Sequence, residues 1–175
     1  MSQKFDYRLM DERTRALMLE EIDLAQQQKQ VYFSTRFNEI GNQNWLGWLQ
    51  TAAKQYDEHW LAFQIEAAGA MRDFEDRAKP KGGYTTAHIP NIACETLADG
   101  QFNRFYMAAI CRRTLEDKRN TVTIYRAKQR GEPRPESRQL EGEARDAATL
   151  LNELRTISTS FRCDLLKPNS GLSIE

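Results

Sequence analysis

Apolar side chains fall at helical spacing over much of this chain. From Met10 to Gln28 there is no glycine or proline, and Leu17, Met18, Ile22 and Ala25 recur at steps that place them on one helix face. The spacing predicts a helix of about five turns, with Asp11 and Glu12 in the first turn, where negative charge meets the positive end of the helix dipole. Gln30 to Thr35 holds Val31, Tyr32 and Phe33, a β-prone run that predicts a short strand. After Gly41 and Asn42, the positions Trp45, Leu49, Ala52, Tyr56, Trp60 and Phe63 recur every three or four residues. They predict one long helix over Asn44 to Ala68, or two shorter ones meeting near Asp57. A third helical stretch is expected over Ala67 to Ala78. It stops at Lys79-Pro80-Lys81-Gly82-Gly83, where a proline and paired glycines cannot continue a helix.

Beyond that boundary the pattern changes. Tyr84 to Pro90 reads as extended, and Cys94 to Ala98 as a short helical turn. Gln101 to Lys118 carries Phe102, Phe105, Tyr106, Ala109, Ile110 and Leu115 as an apolar stripe, with Asp99 or Gly100 placed to cap it. In Thr121 to Ala127, Val122 and Ile124 alternate with Thr123 and Tyr125, which predicts a strand with one face buried. Lys128 to Glu143 is polar, holds Pro133 and Pro135, and reads as a long loop or arm. A last helix is expected over Arg145 to Ser158, with Leu150, Leu151, Leu154 and Ile157, and Leu172 and Ile174 alternate as a short terminal strand. The sum is an α+β fold: a helix-dominated single domain over 1–175 with a small sheet and an extended, proline-containing arm.

Composition narrows what such a fold is for. With 175 residues, 40% of them hydrophobic, one domain can enclose a core, and a second has no room. The 25 Lys and Arg balance the 25 Asp and Glu, so the chain as a whole is no polyanion binder and has little net charge to oppose self-association. The balance is local, however. Residues 1–100 carry 11 basic and 15 acidic side chains, a net of −4, whereas 101–140 carry 10 basic and 4 acidic, a net of +6. Arg126, Lys128, Arg130, Arg134 and Arg138 sit on or after the predicted strand, and two prolines hold that stretch extended, which lowers the entropy lost on docking. Three readings stay open. The arm meets a protein partner or a second copy, together with Trp48, one of two tryptophans crowded onto a narrow helix face. Alternatively Arg112, Arg113, Tyr125, Arg126, Lys128 and Arg130 contact nucleic-acid phosphates, with Tyr125 free to stack. Or the basic segment pairs with the acidic front half of its own chain.

Catalytic and metal signatures are missing from the sequence. The two histidines, His59 and His88, have no Cys or His neighbour at ligand spacing, so neither a metal nor any other cofactor is expected. Phosphate-loop, dinucleotide, nucleophile-elbow and zincin motifs are absent. An enzyme would have to use His88 with Glu95 or Asp99 as acid and base, or Cys94 or Cys111, the latter beside Arg112, as nucleophile. The alternative is a loop histidine and core cysteines. Gly82 and Gly83 beside Lys79 and Lys81 make either an anion cradle or a simple turn. Cys94, Cys111 and Cys163 are an odd, scattered set that fits reduced thiols. No apolar window is long enough to span a bilayer, since Trp60 to Ala70 is broken by Gln64 and Glu66, and the polar start Met1 to Asp11 has no signal-like apolar core. The expected location is therefore the cytoplasm, with no membrane partner.

Two blocks resemble those of small uncharacterised proteins of bacterial and phage genomes. The first runs from Gly82-Gly83-Tyr84-Thr85-Thr86 through Phe102-Asn103-Arg104-Phe105-Tyr106 to Arg113. The second runs from Tyr125-Arg126-Ala127-Lys128 through Pro133-Arg134-Pro135-Glu136-Ser137 to Lys167-Pro168-Asn169-Ser170-Gly171-Leu172-Ser173. The resemblance covers about the last half of the chain. It implies a prokaryotic or phage setting and carries no activity, site or cofactor. The expected function is structural or assembly work through protein association, as a homo-oligomer or a phage or particle component. The alternatives are a nucleic-acid-binding protein using 126–138 and an enzyme centred near His88.

Overall fold

A computed structural model describes residues 3–129, 131–132, 134–156, 163–168 and 170–175. Its first three helices each start on an acid or amide whose side chain takes a free backbone N–H. Asp11 accepts from Thr14 at 2.9 Å to begin α1, Glu12–Gln27. Asn38 accepts from Gly41 at 3.2 Å to begin α2, Glu39–Gln55, and Asp57 accepts from Trp60 at 2.9 Å to begin α3, Glu58–Ala67. The stripe from Trp45 to Phe63 is thus two helices hinged at Asp57. The strand expected at 30–35 is irregular chain, held by Trp45, whose indole N–H donates to the Tyr32 carbonyl at 2.8 Å.

The helix expected over 67–78 does not form. Gly69 adopts the left-handed φ of 57°, and Ala70 N–H returns to the Ile65 carbonyl at 3.0 Å, which closes α3 as a glycine-terminated helix end. The chain then forms a ribbon, β1 Phe74–Ala78 antiparallel to β2 Tyr84–His88. Next comes α4, Ala93–Glu116, the longest helix described. The turn expected at 94–98 is its beginning, so Asp99 and Gly100 lie inside the helix instead of capping it. Residues Gln101 to Cys111 of α4 are all buried, because the helix packs against α1, α3 and, on a further side, α6, Ala147–Arg155.

A three-stranded antiparallel sheet backs this bundle in the order β4-β3-β5, with β3 Thr121–Arg126, β4 Ala144–Asp146 and β5 Leu172–Ile174. The stretch expected to be an extended arm turns back on the fold. Pro135 opens a short helix, α5 Pro135–Leu140, the residue after β4 starts α6, and Asp146 caps it by accepting from Thr149 at 2.8 Å. Arg130, Pro133 and Ile157 lie outside the described residues. One hydrophobic cluster runs from Leu17 through Trp45, Phe102 and Leu151 to Ile174, so both charge halves of the sequence share a core. The fold is α+β, as its pattern predicts.

Candidate functional site

The two charge halves meet inside the molecule. Glu21 of α1, only 2% exposed, takes Arg155 at 2.7 Å and Arg112 at 3.4 Å, and Arg112 also reaches Glu20 at 2.8 Å. Arg113 reaches Asp11 at 2.6 Å and holds that carboxyl below its ordinary pKa, with help from the Thr14 N–H. In the other direction Arg13 of α1 bonds Glu116 and Asp117 at the end of α4, both at 2.9 Å. These pairs consume Arg112 and Arg113, two of the groups expected to face phosphate.

The β3 end of the segment is withdrawn further. The Lys128 side chain is 0% exposed, and its ammonium bonds Asp99 at 2.7 Å and Glu95 at 3.1 Å, with the Phe5 ring 5.4 Å away. A buried cation survives here because two carboxylates of α4 replace its water. Arg126 holds Glu141 through Nε at 2.7 Å and donates to the Ser170 carbonyl at 2.9 Å. Tyr125 is buried. Its hydroxyl donates to the Asp6 carbonyl at 2.6 Å, and the Arg8 guanidinium covers its ring at 4.1 Å, so it offers no face for base stacking. Of the residues nominated for partner or nucleic-acid contact, Arg134 just before α5 and Arg138 on it are exposed, Trp48 is half-buried against the core, and Arg130 is not described. The expectation of a free basic arm is therefore corrected: its described front end is structural, tied to acids of the same chain.

The groups weighed for catalysis are also separated. His88 lies exposed on the ribbon with its ring 4.1 Å from that of Phe74, while Glu95 and Asp99 point inward to Lys128. Burial pushes the Cys94 thiol up and the Cys111 thiol up to about 12, the opposite of an activated nucleophile. A cleft of about 320 Å³ opens between the 32–36 loop, the first turns of α4 and residues 165–168 and 170–171. Phe5, Met71 and Leu97 supply its apolar wall, and Asp99, Asn103 and Ser170 its polar floor. Those three polar groups already serve the fold: Asp99 holds Lys128, Asn103 donates to the Leu172 carbonyl at 2.8 Å, and Ser170 donates to the Leu165 carbonyl at 2.6 Å.

The ribbon β1–β2 is a further exposed feature. Its root is fixed: Arg36 forks onto Glu75 at 2.6 and 3.0 Å, Arg72 N–H bonds the Arg36 carbonyl at 2.9 Å, and Phe37 bridges Met71. Arg36 and then Arg77 hold the Glu75 carboxyl below its ordinary pKa. Its tip is a glycine turn, with Gly82 and Gly83 at φ 88° and 80° and Lys79 N–H bonded to the Gly83 carbonyl at 2.9 Å. The glycine pair thus makes a turn. Between root and tip, Tyr84 is 73% and Phe74 48% exposed, and among the described residues neither outer edge carries a third strand.

No family model, curated protein or solved structure matches the chain. The geometry therefore stands without support from relatives. The ribbon is the feature that the sequence pattern missed, because Ala67 to Ala78 reads as helix. The signal that finds it is the Lys79-Pro80-Lys81-Gly82-Gly83 turn between Phe74 and the β-prone Tyr84-Thr85-Thr86, a hairpin arrangement.

Proposed function

We propose that this protein is a non-enzymatic structural or assembly protein that works by associating with further copies of itself through the β1–β2 ribbon. One observation carries the reading: a two-stranded ribbon has, among the described residues, both edges open and two large aromatic side chains exposed, Tyr84 at 73% being the most exposed large hydrophobic described. An isolated two-stranded hairpin is marginal in water and gains from a further strand, and unpaired strand edges are templates for that pairing. The internal pairing of Arg112, Arg113, Arg126 and Lys128 supports association over phosphate binding, since each is paired with acids of its own chain, Lys128 is fully buried and the other three are at most about a quarter exposed. Membership of a bacterial or phage particle, and a cytoplasmic location, rest on the sequence resemblance and pattern alone. Among the described residues no helix is long and apolar enough to cross a membrane.

Light scattering and sedimentation velocity on the full chain test the proposal. A mass above the monomer is expected at about 200 μM chain, where a complex of micromolar strength is saturated. A strictly monomeric chain at that concentration overturns it.

A further inference from the structure

The ladder inside the ribbon fixes which backbone groups face outward. Lys79 N–H bonds the Gly83 carbonyl and Ile89 N–H bonds the Asp73 carbonyl, each at 2.9 Å. In an antiparallel pair, hydrogen-bonded and non-hydrogen-bonded partners alternate. With the register Phe74↔His88, Asp76↔Thr86 and Ala78↔Tyr84, these three pairs are the non-bonded ones. The N–H and C=O groups of Tyr84, Thr86 and His88 therefore point away from β1, at the free edge of β2. Those of Phe74, Asp76 and Ala78 point away at the free edge of β1.

The two edges differ in what a second copy would meet. β2, Tyr84-Thr85-Thr86-Ala87-His88, carries no Lys, Arg, Asp, Glu or Pro, the residues that ordinarily guard an exposed edge. β1, Phe74-Glu75-Asp76-Arg77-Ala78, is charged at its centre, and two-fold pairing through it would set Asp76 against Asp76. Resting on the association reading above, we propose that two copies join antiparallel through β2 about a two-fold axis at Thr86, making the continuous sheet β1-β2-β2-β1.

In that register Thr86 exchanges both backbone hydrogen bonds with Thr86 of the second copy, and Tyr84 and His88 exchange theirs with His88 and Tyr84. All three outward-facing residues are used. The His88 carbonyl, which Arg77 takes at 3.3 Å, has a second lone pair for the incoming Tyr84 N–H. Side chains agree with the backbone. The Phe74 to His88 ring contact and the bond from Thr86 Oγ1 to Asp76 at 3.2 Å put residues 74, 76, 84, 86 and 88 on one face. Pairing lays Tyr84 of each copy directly beside His88 of the other, with that copy's Phe74 one strand further along the same row, which covers Tyr84, the more exposed of the two aromatics. The two Asp76 carboxylates end three strand spacings apart, about 14 Å, beyond the Debye length at physiological salt. A β2-to-β2 contact also closes after two copies, where β1-to-β2 stacking would run on without end.

Proline scanning of the two edges tests the assignment, because neither Thr86 nor Asp76 donates its N–H within the ribbon. Thr86→Pro removes both central donors of the proposed joint and no backbone donor of the ribbon's own, and the Thr86 Oγ1 to Asp76 bond is lost equally in both proline variants. It is expected to weaken dimerisation at least about tenfold in sedimentation equilibrium, while Asp76→Pro, the same change on the opposite edge, leaves the constant at the wild-type value. If the wild type dimerises and Thr86→Pro dimerises equally well, the β2 assignment is overturned and association stands through another surface. A monomeric wild type overturns both. Thr86→Cys decides the case in which both proline variants lose the dimer. Under mild copper-catalysed air oxidation two such thiols on the axis link to each other, their Cα atoms being about 5.5 Å apart, and a Thr85→Cys control, on the other face, does not. Absence of the 86-to-86 peptide by mass spectrometry overturns the register.

Discussion

Lys128 shows how one side chain redirects the reading of a whole segment. Charge counting places it on a basic arm, yet it is enclosed by Asp99, Glu95 and Phe5, where it joins β3 to the start of α4. Removing one partner of a buried pair strands the other charges, and that costs about 3–5 kcal/mol. Lys128→Ala is expected to lower stability by that amount in urea unfolding, whereas Arg138→Ala, at an exposed α5 position, changes it by less than about 0.5 kcal/mol. Asp11 is a second such residue, with one oxygen on the Thr14 N–H and the other on Arg113. Asp11→Ala loses cap and pair together, for about 1–2 kcal/mol, while Asp11→Asn keeps the cap and loses only the exposed pair, a few tenths. Because Arg113 and the Thr14 N–H depress the folded pKa of Asp11, its contribution is present above the unfolded value of 3.8 and disappears as the pH falls through the lower folded value. The stability gap between wild type and Asp11→Asn should therefore close below the ordinary carboxylate range, as acid titration of the two proteins would record.

At the level of elements, periodicity located the parts whose burial is one-sided. α1 and β3 stand close to where Leu17-Met18-Ile22-Ala25 and Val122-Ile124 place them, because in both a buried face alternates with a wet one. It failed where tertiary context or a single glycine decides. Gly69 ends α3 ahead of Ala70-Met71-Arg72, which local propensity would continue as helix, and Asp99 lies inside α4, where it pairs with Lys128. The ribbon was hidden for the same reason: nothing in Phe74-Glu75-Asp76-Arg77-Ala78 alternates in hydrophobicity, since both of its faces are largely exposed. Such an element contributes little to the core, so it should be separable from it. Asp73 and Ile89 are already bonded partners at 2.9 Å, and a Gly-Gly link between them can replace residues 74–88 without moving the root. The shortened chain is expected to keep the helical circular-dichroism spectrum and to lose about 1 kcal/mol, chiefly the half-buried Arg36 to Glu75 pair. Unfolding of the whole molecule on this deletion would mean that the ribbon belongs to the core after all.

For the whole molecule the question is what force brings copies together. The sequence suggests opposite charges, acidic front against basic back, and that attraction is long-ranged and salt-sensitive. The fold spends it internally: Asp11 on Arg113, Glu21 on Arg112 and Arg155, Glu116 on Arg13. The ribbon offers other copies a row of backbone donors and acceptors with no Lys, Arg, Asp or Glu among Tyr84 to His88. Hydrogen bonds and aromatic burial at such an edge are short-ranged, and added salt neither screens them nor releases counterions from them. Sedimentation equilibrium at about 50 mM and about 500 mM salt separates the two cases, because these concentrations take the screening length from about 14 Å to about 4 Å. A dimerisation constant that stays within about threefold across that range is the expected result for pairing through β2. A fall of about tenfold or more would return the task of association to the charged groups that remain on the surface, Arg134 and Arg138 among them.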